Sequence, residues 1–161
     1  MSLTPAQIVI VKADILANTD TNSISSSSDG SYAIADIYNL PAVPAFYVWR
    51  TAVPVDEIMR NGMDWTRVDN LTIGKARIWD WLTRLGNFDA SKTNIRAGID
   101  AAWVGTAADL AVRASVYGHC NRAATRLEKL LSTGLGTIAA PATLGREGSI
   151  NYQLIDAVRG S

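Results

Sequence analysis

Few side chains in this chain of 161 residues are equipped for covalent or acid–base chemistry. There is one histidine, His119, one cysteine, Cys120, and three glutamates, Glu57, Glu128 and Glu147. His119 and Cys120 offer a base beside a nucleophile, but they are adjacent in sequence. Successive helical residues point about 100° apart, so the two need a third element to act as a dyad. Cys120 also falls on an apolar stripe, where a free cysteine is usually ordinary core. A closed zinc site takes four nitrogen or sulfur ligands, and this chain offers only His119 and Cys120. The acidic neighbours Asp56 and Glu57 fit the first turn of a helix, where carboxylates meet the positive end of the dipole. Asp64 and Asp69 form a second acidic pair. Gly134-Leu135-Gly136-Thr137-Ile138-Ala139 brushes the dinucleotide-binding pattern, yet it follows a helical segment rather than a strand. No catalytic, cofactor-binding or metal-binding residue is assigned, and a non-enzymatic protein without cofactor is expected.

Tryptophan and arginine are the informative residues instead. Trp65, Trp79, Trp81 and Trp103 are interleaved with Arg67, Arg77, Arg84, Arg96, Arg113, Arg122 and Arg126. These two residue types are the ones most enriched where protein surfaces meet. On the helix expected over Asn70–Leu85, Leu71, Gly74, Ile78, Trp81 and Leu85 recur at three- and four-residue spacing. Two residues along a helix differ by about 200°, so Trp79 and Trp81 cannot share one core. The spacing puts Trp81 inside with Trp103, and leaves Trp79 to meet either the chain's own Phe46–Trp49 segment or another subunit. Arg122, Arg126 and Lys129 flank the next long helix as a solvated face, a channel lining or a match for an acidic neighbour. The expected interface residues are Trp49, Arg77, Trp79, Arg84, Arg122, Arg126, Arg146 and Tyr152.

These residues ride on a helical chain. Thr4, Pro5 and Gln7 make a capping box, and Ile8, Val11 and Ile15 then line one face of a helix ending near Asn18. A strand through Ile8–Val11 is the alternative reading of its β-branched run. Thr19–Gly30 is a polar loop, Ser31–Asn39 a short helix, and the proline-flanked Ala45–Trp49 an extended segment. Val55–Asn61 follows as a short helix stopped by Gly62. After Asn70–Leu85 come helices at Thr93–Val104 and Thr106–Ser132. The last opens on Thr106-Ala-Ala-Asp109, and Leu110, Tyr117, Ala124 and Leu131 form its stripe. Gly134–Gly148 lacks helical periodicity, and Ile150–Val158 is a final short helix. The expected fold is all-α: a small helical bundle with extended loops, residues 1–132 as its body and residues 133–161 as an extended C-terminal arm.

Charged residues make up 19% of the chain, against roughly 25% in ordinary soluble domains. So sparse a charge leaves part of the apolar surface for another subunit. Residues 1–60 carry three Lys/Arg against six Asp/Glu, and residues 61–161 carry twelve against nine. That asymmetry suits head-to-tail packing of identical subunits. With no polybasic arm, binding dominated by nucleic-acid phosphates is not the expected task. One cysteine cannot form an internal disulfide and fits a reducing compartment. Neither a signal peptide nor a membrane span of about 20 apolar residues is expected.

The run Asp64-Trp-Thr-Arg-Val-Asp-Asn-Leu-Thr-Ile-Gly-Lys-Ala-Arg-Ile-Trp-Asp-Trp-Leu82 resembles a family of small proteins encoded among the morphogenesis genes of tailed bacteriophages and prophages. The resemblance continues through Ile95-Arg96-Ala97-Gly98-Ile99-Asp100-Ala101-Ala102-Trp103-Val104-Gly105-Thr106 and ends in Pro141-Ala-Thr-Leu-Gly-Arg-Glu-Gly148. It implies a virion structural protein, assembled in the bacterial host cytoplasm. A helical body with an extended arm is similar to head–tail connector adaptors, which form rings, commonly dodecamers, beneath the portal. The expected partners are copies of itself, the phage portal and tail proteins, with no membrane and with DNA only passing through a channel. Two alternatives stand beside the adaptor: a capsid cement or tail tube or nozzle component, and a helical assembly chaperone or regulator that leaves the finished particle.

Overall fold

The capping box at Thr4 forms as its residues dictate. The Thr4 hydroxyl accepts from the Gln7 N–H, the Gln7 carboxamide accepts from the Thr4 N–H, and Pro5 occupies the first helical position. The helix, α1 (Pro5–Ala17), buries Val11 and Ile15 and ends at Asn18. In this computed structural model, which describes residues 2–160, the elements that follow are α2 (Ser28–Asn39), β1 (Tyr47–Trp49), β2 (Val53–Pro54), α3 (Val55–Arg60), α4 (Trp65–Asp69), α5 (Ile73–Thr83), β3 (Asn87–Phe88), α6 (Thr93–Ala102), α7 (Ala107–His119), β4 (Asn121–Ala123), α8 (Arg126–Leu130) and α9 (Tyr152–Gly160). The fold is mainly helical, with short strands only. α2 starts earlier than its apolar pattern suggests, because the Ser27 hydroxyl accepts from the Gly30 N–H and caps it.

The chain divides into two compact units. The first joins the residues up to Val48 with those from Ala123 onward; the second is Trp49–Arg122. In the first unit Val11, Ile15, Ile34, Tyr38, Leu127 and Ile155 share one core. α9 lies against α2 and α1. The Asn39 side chain fastens its approach, donating to the Ile150 carbonyl at 2.8 Å and accepting from the Ile150 N–H at 2.9 Å. The proline-flanked segment is extended, as its sequence predicts. Tyr47 N–H donates to Gly136 O, Ala142 N–H to Tyr47 O, and Ala124 N–H to Phe46 O. Gly136, at φ +68, lies so close under Phe46 that a Cβ would sit 2.0 Å from the ring. Residues 133–160 therefore pack on their own unit, and the chain does not divide at residue 132 as the sequence suggests.

The second unit has its own core of Val53, Ile58, Trp79, Phe88, Ile99, Trp103, Val112, Val116 and Cys120. α5 packs along α6, where Gly98 lets the Leu82 side chain approach closely. β2 and β3 pair antiparallel, Val53 opposite Phe88.

Two expectations need correction. The helix expected over Thr106–Ser132 is broken. Its Thr106/Asp109 capping box is present, but α7 ends at Cys120, the chain passes through β4, and α8 restarts on a second box. There Thr125 and Glu128 cap one another, and the Thr-x-x-Glu spacing was legible in the sequence. The break removes the seven-residue stripe: Val112 and Val116 are buried, whereas Leu110 is exposed. The phase of α5 is also the reverse of the expected one. Trp79 is buried, 3% exposed, and Trp81 is 61% exposed. Leu71 precedes the helix and Leu85 follows it, so neither votes for the buried face. Trp79 and Leu82 then set it, with Trp79 edge-on to Trp103 at 5.2 Å and to Phe88 at 6.0 Å.

Candidate interaction surfaces

The groups with reactive potential are held in structural contacts. Arg50 forks onto Glu57, with Nη1 to Oε1 at 2.7 Å and Nη2 to Oε2 at 2.9 Å, and also donates to the His119 carbonyl at 2.9 Å. That guanidinium keeps the Glu57 carboxyl below its usual range. The His119 ring has Nδ1 3.3 Å from Glu57 Oε1 and Nε2 3.0 Å from the Asn61 carbonyl, so both nitrogens are engaged away from Cys120. Cys120 is wholly buried, and burial pushes its thiol up to about 12. The thiol, not the nucleophilic thiolate, is therefore the resident form. Asp109 takes Arg67 Nη2 at 2.6 Å and the Thr106 N–H at 3.2 Å, with Lys75 Nζ at 3.7 Å. Arg67 above all pulls its carboxyl down to about 2. Among the described residues, no group of three or more His, Cys, Asp or Glu is placed to hold a metal ion.

Several expected interface residues turn inward. Trp79 is core, so it is corrected to a packing residue. Arg146 is buried, and its guanidinium donates to the carbonyls of Gly148 at 2.8 Å and Ser149 at 2.9 Å, stapling its own loop. Arg126 is not part of a solvated face either. It pairs with Asp20 and, at 3.3 Å, with Asp14, and its guanidinium lies 4.9 Å from the centre of the Tyr38 ring. Tyr38 in turn donates to Asp14, and burial raises its phenol. Lys129 reaches the Val43 carbonyl at 3.3 Å. Arg122 sits half-buried in β4, off the helix that was to align it with Arg126. Asp14, Asp20, Arg126 and Lys129, with Leu40 and Val43, line a groove of about 700 Å³ in the first unit.

The others keep some or all of their surface. Trp49 is half-buried, with Arg96 4.9 Å above its ring and Tyr117 at 5.7 Å. Tyr152 is half-buried and stacks on the exposed Tyr32 at 4.1 Å. Arg77 and Arg84 are exposed on α5 and its C-cap, with Arg84 bound to Asp80 at 2.9 Å. Between them stands Trp81, which the sequence placed in the core, and one turn before Arg77 stands Ile73, 81% exposed. Ile73, Arg77 and Trp81 are four residues apart, so they form one outward row. Had the helix ends been drawn at Thr72 and Arg84, the same spacing would have marked that row.

No family model matches the chain, and neither curated proteins nor solved structures give a significant match.

Proposed function

We propose that this chain is a non-enzymatic structural subunit of a tailed-phage virion, a ring-forming adaptor between head and tail. The outward row of Ile73, Arg77 and Trp81 carries the reading. An exposed Trp beside Arg is the pairing that subunit interfaces draw on, and the row lies inside the run that resembles phage morphogenesis proteins. The engaged His119 and the buried thiol of Cys120 favour a structural over a catalytic role. The body of the ring is then a helical bundle, to which residues 133–160 contribute α9. The partners are further copies of the chain, the portal and the tail proteins. No helix among the described residues is long and apolar enough to cross a membrane.

Native mass spectrometry of the protein, alone and with its portal, tests the reading. A closed ring in either sample is the expected result. A monomer in both samples would sink it.

A further inference from the structure

We propose that the outer faces of α2 and α5 are the two halves of one contact between copies of this chain. The inference rests on the self-assembling subunit read above and names the surfaces that meet. On α2, Asp29, Tyr32 and Asp36 are all exposed. On α5 and its C-cap, Arg77, Trp81 and Arg84 are all exposed. Among the described residues, Asp29, Asp36 and Arg77 have no ion-pair partner within the chain, and Arg84 has only the solvated Asp80. Each face is thus an aromatic ring between two like charges, and the charges are opposite on the two faces.

The spacings match as well as the signs. Asp29 to Asp36 and Arg77 to Arg84 are both seven residues, a rise of about 10.5 Å with a net turn of only about 20°. With the two helices side by side and running the same way, Asp29 meets Arg77 and Asp36 meets Arg84. Tyr32 lies about 60° to one side of Asp29, and Trp81 about 40° to the opposite rotational side of Arg77. Across a face-to-face contact those opposite rotations bring both rings to the same flank, within about 1.5 Å in height. Tyr152, stacked behind Tyr32, holds that ring in place. The broader charge agrees: the unit bearing α2 has five Lys/Arg against seven Asp/Glu, and the unit bearing α5 has ten against eight. Because every copy carries both halves, the contact is heterologous and propagates from subunit to subunit, as a ring requires.

Charge reversal tests this in the intact protein. Sedimentation velocity over a concentration series is expected to show wild type self-associating, less so as salt rises. Asp36→Arg and Arg84→Glu should each weaken association on the order of tenfold, and Trp81→Ala at least as much. The double variant carrying both reversals should recover most of it. All three altered positions are on the surface, so far-UV circular dichroism should match wild type throughout. A wild-type oligomer indifferent to both reversals and to Trp81→Ala overturns this contact and leaves self-assembly standing. A double variant no better than either single one overturns it too. A wild type that stays monomeric, alone and with its portal, overturns the contact together with the reading beneath it.

Discussion

Asp109 receives Arg67, the Thr106 N–H and a more distant Lys75 while almost wholly buried. Its carboxyl is drawn from 3.8 to about 2 in the folded chain. A depressed carboxylate stabilises the fold fully above the unfolded value and ceases to do so as pH falls through the folded one. Urea midpoints should therefore be flat above about pH 4 and fall between 4 and 2, and Asp109→Asn should flatten that step. The two tryptophans of α5 and its neighbour give a second contrast. Trp103 is fully enclosed, so Trp103→Ala should cost about 3–5 kcal/mol in chemical denaturation. Trp81→Ala should change stability by less than about 0.5 kcal/mol, because its ring meets solvent in the single chain. The sequence ranked these rings by an apolar count, and the count failed only where residues beyond the helix ends were included. Cys120 is legible, because a free cysteine on an apolar face is usually ordinary core.

At the scale of elements, local chemistry was read well wherever a cap announced itself. The boxes at Thr4 and Thr106 set the starts of α1 and α7 where the sequence placed them. The third box, Thr125 with Glu128, is masked in the sequence because apolar residues on either side continue a helical rhythm across it. Glu128 explains why that box prevails. Its carboxylate accepts from the Thr125 N–H and from the Gly148 N–H, both at 3.0 Å, so it caps α8 and fastens the returning loop at once. A contact twenty residues away is invisible to any local pattern. Glu128→Ala should lower stability by about 2–4 kcal/mol, the sum of a lost cap and a lost charged hydrogen bond. It should also open residues 133–148 to limited proteolysis. Cleavage no faster than in wild type would show that the loop is held by its other bonds alone. α2 begins three residues ahead of its apolar pattern for a similar reason, since Ser27 caps a turn that has no apolar periodicity to advertise it.

The whole chain is an insertion, with Trp49–Arg122 interrupting a first unit assembled from both flanking segments. The inserted unit keeps its core to itself, so residues 49–122 expressed alone should unfold cooperatively in a thermal scan. The first unit lacks that independence. Removing everything after residue 132 takes Ile150, Ile155 and Val158 out of its core, and the remaining chain should lose the unfolding transition of that unit. If the shortened chain kept both transitions, residues 133–160 would be dispensable to the body, as an arm would be. The stitched arrangement also orders events on the ribosome. Val11, Ile15 and Ile34 emerge well before Leu127 and Ile155, the residues that complete their core. Domains generally fold as they are made, first residues first, whereas here the middle of the message yields the first finished structure. Until those residues emerge the nascent chain exposes an unpaired apolar α1, and a product cut before them would carry that surface permanently. Closure of the first unit waits for Ile155 and Val158, so a chain cut before them leaves α1 uncovered.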